Sequence, residues 1–174
     1  FRRVLFRSLR MKKFFLHKII LLFSLLIFQQ VNAQDVLVLD GGSMTVEPGA
    51  VLRVSGGARF ELGSNLQNDG SINITTNSGV GTEDCTDNTS SGVMTNSSVG
   101  LVEFSSNDGH EFFGKTEFYD VNMNANGGLH LNDNFETKNN LLLTTGIILT
   151  DSKRVYVSNN AASSIAADFS NPLY

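Results

Sequence analysis

Apolar residues alternate with polar ones in short arms along most of this chain, and clusters of Gly, Asn and Asp interrupt them. Between residues 101 and 157 the arms are Val102/Phe104, His110/Phe112, Phe118/Val121/Met123, Leu129/Leu131, Leu141/Leu143, Ile147/Leu149 and Val155/Val157. Between them stand Asn107-Asp108-Gly109, Gly114, Asn126-Gly127-Gly128, Asn132-Asp133-Asn134, Asn139-Asn140 and Gly146. Alternation over a few residues, bounded by turn formers, predicts many short strands with one buried face. An earlier block, residues 34–74, has the same texture, with arms at Val36/Val38, Met44/Val46, Leu52/Val54, Phe60/Leu62, Leu66 and Ile72/Ile74. Pro48-Gly49 is a turn signal with a mechanism: Pro presets φ, and Gly can supply a positive φ next.

Each arm buries two or three side chains, too few to stand alone. Winding the arms into a coil lays the apolar residues of one turn on those of the turn before, so a continuous core forms. Thr45, Glu47, Arg53, Arg59, Glu61 and Asn73 then face outward. The predicted fold is all-β: a right-handed parallel β-helix or solenoid, preceded by a cleavable signal helix. A β-sandwich also predicts strands at this spacing and is the alternative architecture.

Residues 75–100 break the pattern, with Asn77-Ser78-Gly79 and the run Glu83-Asp84-Cys85-Thr86-Asp87-Asn88. They are expected to form a polar loop insertion, with one strand over 92–94. The domain reading is therefore an upstream remnant (1–10), a signal peptide (11–33), a first β-repeat block (34–74), the loop (75–100), a second block (101–160) and a truncated continuation (161–174) of a longer protein.

Charge sharpens this division. Seven of the 13 Lys and Arg precede Gln34, whereas all 17 Asp and Glu follow it, so the body from Gln34 carries 6 − 17 = −11. Such a body repels nucleic acid and anionic lipid. Met11 is followed by Lys12, Lys13 and Lys18, then the ten-residue apolar run IILLFSLLIF, then Val31-Asn32-Ala33. This is the grammar of a secretory signal, with cleavage between Ala33 and Gln34. The apolar run is too short for a bilayer span, which takes roughly 20 residues. The membrane is met only through this segment, and no Cys follows it to carry a lipid.

The lone Cys85 excludes an internal disulfide. Glu103, Glu111, Glu117 and Asp120 are the carboxylates available for sugar chemistry, but six cations in the body leave little charge stabilisation for a lyase. His110 and His130 would form a metal pair only if their turns adjoin, and no ligand-spaced motif surrounds them. Asn107-Asp108-Gly109 and Asn132-Asp133-Asn134 offer oxygen donors of the kind Ca²⁺ takes, yet neither matches an EF-hand loop or a nonapeptide repeat. Solvated turns are the expectation, and no catalytic, cofactor or metal residues are assigned. The aromatic residues are expected to stack between turns, and Asn122, Asn124, Asn126, Asn132 and Asn134 to form an amide ladder.

The repeats MTVEPGAVLRVSGGARFELGSNLQNDGSINI, the run FGKTEFYDVNMN and the later NNLLLTTGIILT resemble the N-terminal regions of large secreted or surface proteins of Bacteroidetes. Proteins of that kind carry β-solenoid-like repeats and commonly end in a type IX secretion sorting domain. The resemblance covers roughly residues 34–160 and supplies no catalytic residues. It implies an extracellular or cell-surface, adhesin-like role, with glycans or other surface proteins as partners. A carbohydrate-active β-helix enzyme, with its acids near Lys115 and Asp120, is the alternative from another class; a β-sandwich binding module is the third.

Overall fold

The computed structural model describes residues 36–75 and 85–167. The upstream residues 1–10, the signal segment 11–33, the Ala33–Gln34 junction and the last part of the 161–174 continuation lie outside the described residues. Among the described residues there is no helix, and every strand pairing is parallel. That overturns the β-sandwich alternative, whose sheets are built from antiparallel neighbours. The chain is a parallel β-solenoid of about six turns.

Each turn visits three walls. The first turn lays down β1 (Leu37–Leu39), β2 (Ser43–Val46) and β3 (Val51–Ser55); the second lays down β4 (Ala58–Phe60), β5 (Asn65–Asn68) and β6 (Ser71–Thr75). The third contains β7 (Cys85–Asp87), a single parallel bridge from Met94 to Leu66, and β8 (Leu101–Ser106). In the fourth and fifth turns, β9 (His110–Phe113) and β11 (Leu129–Leu131) each precede one long strand that covers two walls. Those long strands are β10 (Glu117–Ala125) and β12 (Phe135–Thr145). The sixth turn divides again into β13 (Ile148–Leu149), β14 (Val155–Val157) and β15 (Ile165–Ala167). One sheet therefore runs β1-β4-β7-β9-β11-β13 and another β3-β6-β8-β10-β12-β14, with β15 joined to the second half of β12.

In the later turns the winding repeats every 19 or 20 residues: Leu129 lies over His110, Ile148 over Leu129, and Leu141 over Val121. Where β12 bends between walls, its register against β10 slips between Phe118 and Asp120. The buried Thr137 holds that bulge, donating its hydroxyl to the Tyr119 carbonyl at 2.8 Å. A bulge of this kind lets one strand turn a corner without ending.

The interior is a set of apolar columns, one residue per turn. Phe104, Phe112, Phe118 and Phe135 are fully buried and meet mostly edge to face, with Phe112 and Phe135 centroids 5.3 Å apart. At one corner the turns approach so closely that only glycine fits. A Cβ on Gly100 would lie 2.5 Å from the Gly70 carbonyl oxygen, and one on Gly70 would lie 2.5 Å from that of Ala50.

Four sequence expectations change. Leu37 and Leu39, not Val36 and Val38, face the core, and Val38 is 46% exposed. In the last turn Ile148 points inward while Ile147 and Leu149 point out. Leu62 is 70% exposed because β4 ends at Phe60 and the chain is already turning. Residues 85–100, expected as part of a polar insertion, instead complete the third turn: β7 sits between β4 and β9, and Val93 is buried.

Candidate functional site

The outer wall formed by β6, β8, β10 and β12 carries the densest outward chemistry. Parallel register sets Asn73 beside Glu103, and Glu103 beside Asn122. Strand alternation then turns all three side chains outward. Glu103 accepts from the amides of Asn73 at 3.5 Å, Asn122 at 3.3 Å and Asn124 at 3.4 Å. The ladder continues in both directions. Ser105 donates to Asn73 at 2.6 Å, Thr144 donates to Asn122 at 2.7 Å, and Thr145 donates to Asn124 at 3.1 Å. Asn122 and Asn124 thus enter a ladder, but one built on a carboxylate and hydroxyls rather than on stacked amides alone. Asn126 pairs with Asn107 at another corner.

A second row crosses the wall of β9, β11 and β13. His130 Nδ1 lies 3.1 Å from each carboxylate oxygen of Glu111, and its Nε2 lies 2.8 Å from the Asp151 carboxylate. Asn132 donates to the same Glu111. The flanking carboxylates raise the His130 pKa, through the Asp151 hydrogen bond first and the Glu111 bond second. Asp151 reaches this place with φ of +47°, a region Asp tolerates better than most residues.

The turns of His110 and His130 do adjoin, since β9 pairs with β11. Yet the two side chains lie on opposite faces of the sheet. His110 is buried, edge-on to Phe104 at 5.5 Å, and burial lowers its pKa to about 4. They are therefore not brought together as a metal pair. Among the described residues no group of three or more His, Cys, Asp or Glu side chains is arranged to hold a metal ion.

The other sequence candidates are dispersed. Glu117 pairs with Lys138 at 3.1 Å, and Asp120 accepts from the side chains of Asn139 and Asn140, both at 2.9 Å. Cys85 is buried in β7. The two Asn/Asp turns occupy different corners. Asp133 accepts from the Gly114 backbone at 2.9 Å, and Asn134 accepts from that of Arg154 at 3.1 Å.

Sequence reasoning missed Asp87. It is buried, and accepts from the backbones of Thr89 at 2.8 Å and Val93 at 3.0 Å, and from the hydroxyls of Thr89 and Thr116. The Asp-x-Thr order at 87–89 is the available signal, because an Asp side chain readily caps the backbone two residues on.

Compared with known protein families, curated proteins and solved structures, the chain matches none.

Proposed function

We propose that this chain is the repetitive body of an exported, non-catalytic scaffold or adhesin-like protein, wound right-handed and displayed or released outside the cell. The observation that supports this reading is the use made of the outward polar groups. Glu103, Glu111, Glu117 and Asp120 each engage a side chain one turn away, at sequence separations of 19 to 21 residues for the bonds to Asn122, His130, Asn124 and Asn139. Carboxylates committed to joining adjacent turns stiffen a wall, whereas sugar hydrolysis takes two carboxyl groups flanking one bond. The right-handed sense follows the strong preference of parallel crossovers. Export rests on the signal grammar of residues 11–33 and on the acidic, disulfide-free body.

The test has two arms. Expressed in a bacterium with its own first residues, the protein should leave the cytoplasm and begin at Gln34 when its N-terminus is sequenced. The chain from Gln34 should bind glycans or surface proteins in an array while releasing no reducing ends or unsaturated products from polysaccharides. Cytoplasmic retention would remove the export reading; product release would replace the scaffold with a carbohydrate-active enzyme.

A further inference from the structure

Three turns of the coil bring together an amine, a carboxylate and an amide that lie far apart in the sequence. Lys138 belongs to β12 on the fifth turn, Glu117 opens β10 on the fourth, and Asn96 sits at the corner of the third turn, between the Met94 bridge and β8. The Lys138 Nζ is 3.1 Å from Glu117 Oε2 and 3.5 Å from Asn96 Oδ1. Lysine thus reaches past the neighbouring turn to the one beyond it, 42 residues back along the chain.

The corner that carries Asn96 is pinned on both sides. Thr95 donates its backbone N–H to the Leu66 carbonyl at 2.9 Å, and Ser98 donates to the Thr95 carbonyl at 3.1 Å. The hydroxyls of Thr95 and Ser97 both donate to the Gln67 side chain, Ser97 at 2.7 Å. Lys138 follows the buried Thr137, whose hydroxyl holds the bulge of β12. Amine and amide are therefore both set by ordered backbone. An ion pair would need only Glu117 and Lys138. The amide adds an electrophilic carbon one bond beyond the oxygen that the amine meets. Holding two such groups together gives effective concentrations of about 10⁵–10⁸ M when their geometry is good.

We propose that Lys138 and Asn96 join in an intramolecular isopeptide bond. Glu117 takes a proton from the Lys138 ammonium, and the neutral Nζ attacks Cγ of Asn96. The Nζ–Cγ bond forms and the Cγ–Nδ2 bond breaks. Glu117 passes on that proton, and the second one that Nζ gives up, to Nδ2, which leaves as ammonium. The carboxylate is regenerated, and nothing is oxidised or reduced. A single cysteine gives this chain no internal disulfide; the isopeptide supplies a covalent link between turns instead. Closing so long a loop restricts the unfolded chain as a disulfide does.

Tandem mass spectrometry of a tryptic digest of the full chain, aged at neutral pH, tests the proposal. The expected product is a branched peptide joining Asn96 to Lys138, lighter by one ammonia than its two parts and uncut after Lys138. Lys138→Arg keeps a positive charge beside Glu117 but has no amine to attack, and should yield the separate peptides only. The wild type should run ahead of that variant on a denaturing gel, because the closed loop compacts the unfolded chain. Glu117→Gln should slow the appearance of the link by about 10²–10⁴-fold, the scale of a positioned acid–base group, while the circular dichroism spectrum stays that of the wild type. Separate Asn96 and Lys138 peptides in the aged wild type would overturn the proposal, as would an ammonia loss that maps to a succinimide elsewhere. A link that forms as fast in Glu117→Gln would overturn the acid–base role given to Glu117. The digest reads neither export nor glycan binding, so this proposal and the scaffold reading fail separately.

Discussion

His130 stands directly across from Glu111 in the register of β11 on β9, and its other ring nitrogen meets Asp151 from the following turn. One imidazole therefore ties three consecutive turns together, and it does so best when both nitrogens carry protons. Its folded pKa is raised above the ordinary 6.5, so the stabilisation is fully present below about pH 6.5 and is lost as pH rises through the raised value. His130→Gln should thus lower the urea midpoint in mildly acidic buffer and leave it unchanged in alkaline buffer. A gap of equal size at both pH values would show that the ion pairs contribute nothing.

His110 acts in the opposite sense. Its folded pKa of about 4 means that the unfolded chain binds the proton first, so stability falls as pH drops from about 6.5 toward 4. The full displacement corresponds to roughly 3 kcal/mol. His110→Phe should flatten this acid limb, because the ring site beside Phe104 is retained without the titration. A urea series across that interval, wild type against variant, measures the difference directly.

Gly146 tests the close stacking of corners. A Cβ there would lie 1.8 Å from the Ala125 carbonyl oxygen, at a φ of +84°. Gly49 has a similar φ of +80° but nothing within 4 Å. Gly49→Ala should cost about 1 kcal/mol, the left-handed strain alone. Gly146→Ala should cost more, on the order of 2–4 kcal/mol, because backbone must also move. Thermal melts of the two variants separate strain from collision.

Phe135 and Leu62 looked alike in the sequence as members of apolar arms or aromatic stacks. Phe135 is fully buried, 5.3 Å from both Phe112 and Phe118, whereas Leu62 is largely exposed. Phe135→Ala should cost about 3–5 kcal/mol by cavity formation. Leu62→Ala should stay within about 0.5 kcal/mol of the wild type. Chemical denaturation with an unchanged slope is the check.

Asp87 holds the corner that closes the third turn. Asp87→Ala leaves the Val93 amide and the Thr116 hydroxyl without their acceptor, a loss of about 2–4 kcal/mol for a buried charged acceptor. Hydrogen exchange should speed up first at Thr89 and Val93, and later elsewhere. Uniform acceleration along the chain would mean that the carboxylate stabilises the whole coil rather than this corner.

What the sequence by itself determined is an all-β chain of period-two arms, too short to fold alone and spaced by turn formers; the parallel pairing of every described strand is what decided for a coil over a β-sandwich. The sequence also named the interior well wherever polar residues mark the phase, as at Val102-Glu103-Phe104 and Leu129-His130-Leu131. The phase was not legible in Val36-Leu37-Val38-Leu39 or Ile147-Ile148-Leu149, because an unbroken apolar run alternates equally well either way. Nor could Cys85-Thr86-Asp87 be read as a strand. Its own residues favour a turn, and the ladders of β4 and β9 on either side impose the extended form. The outward ladder on Glu103 and the His130 bridge were hidden for a related reason. Their members lie 19 to 32 residues apart, so only the stacking of turns makes them neighbours.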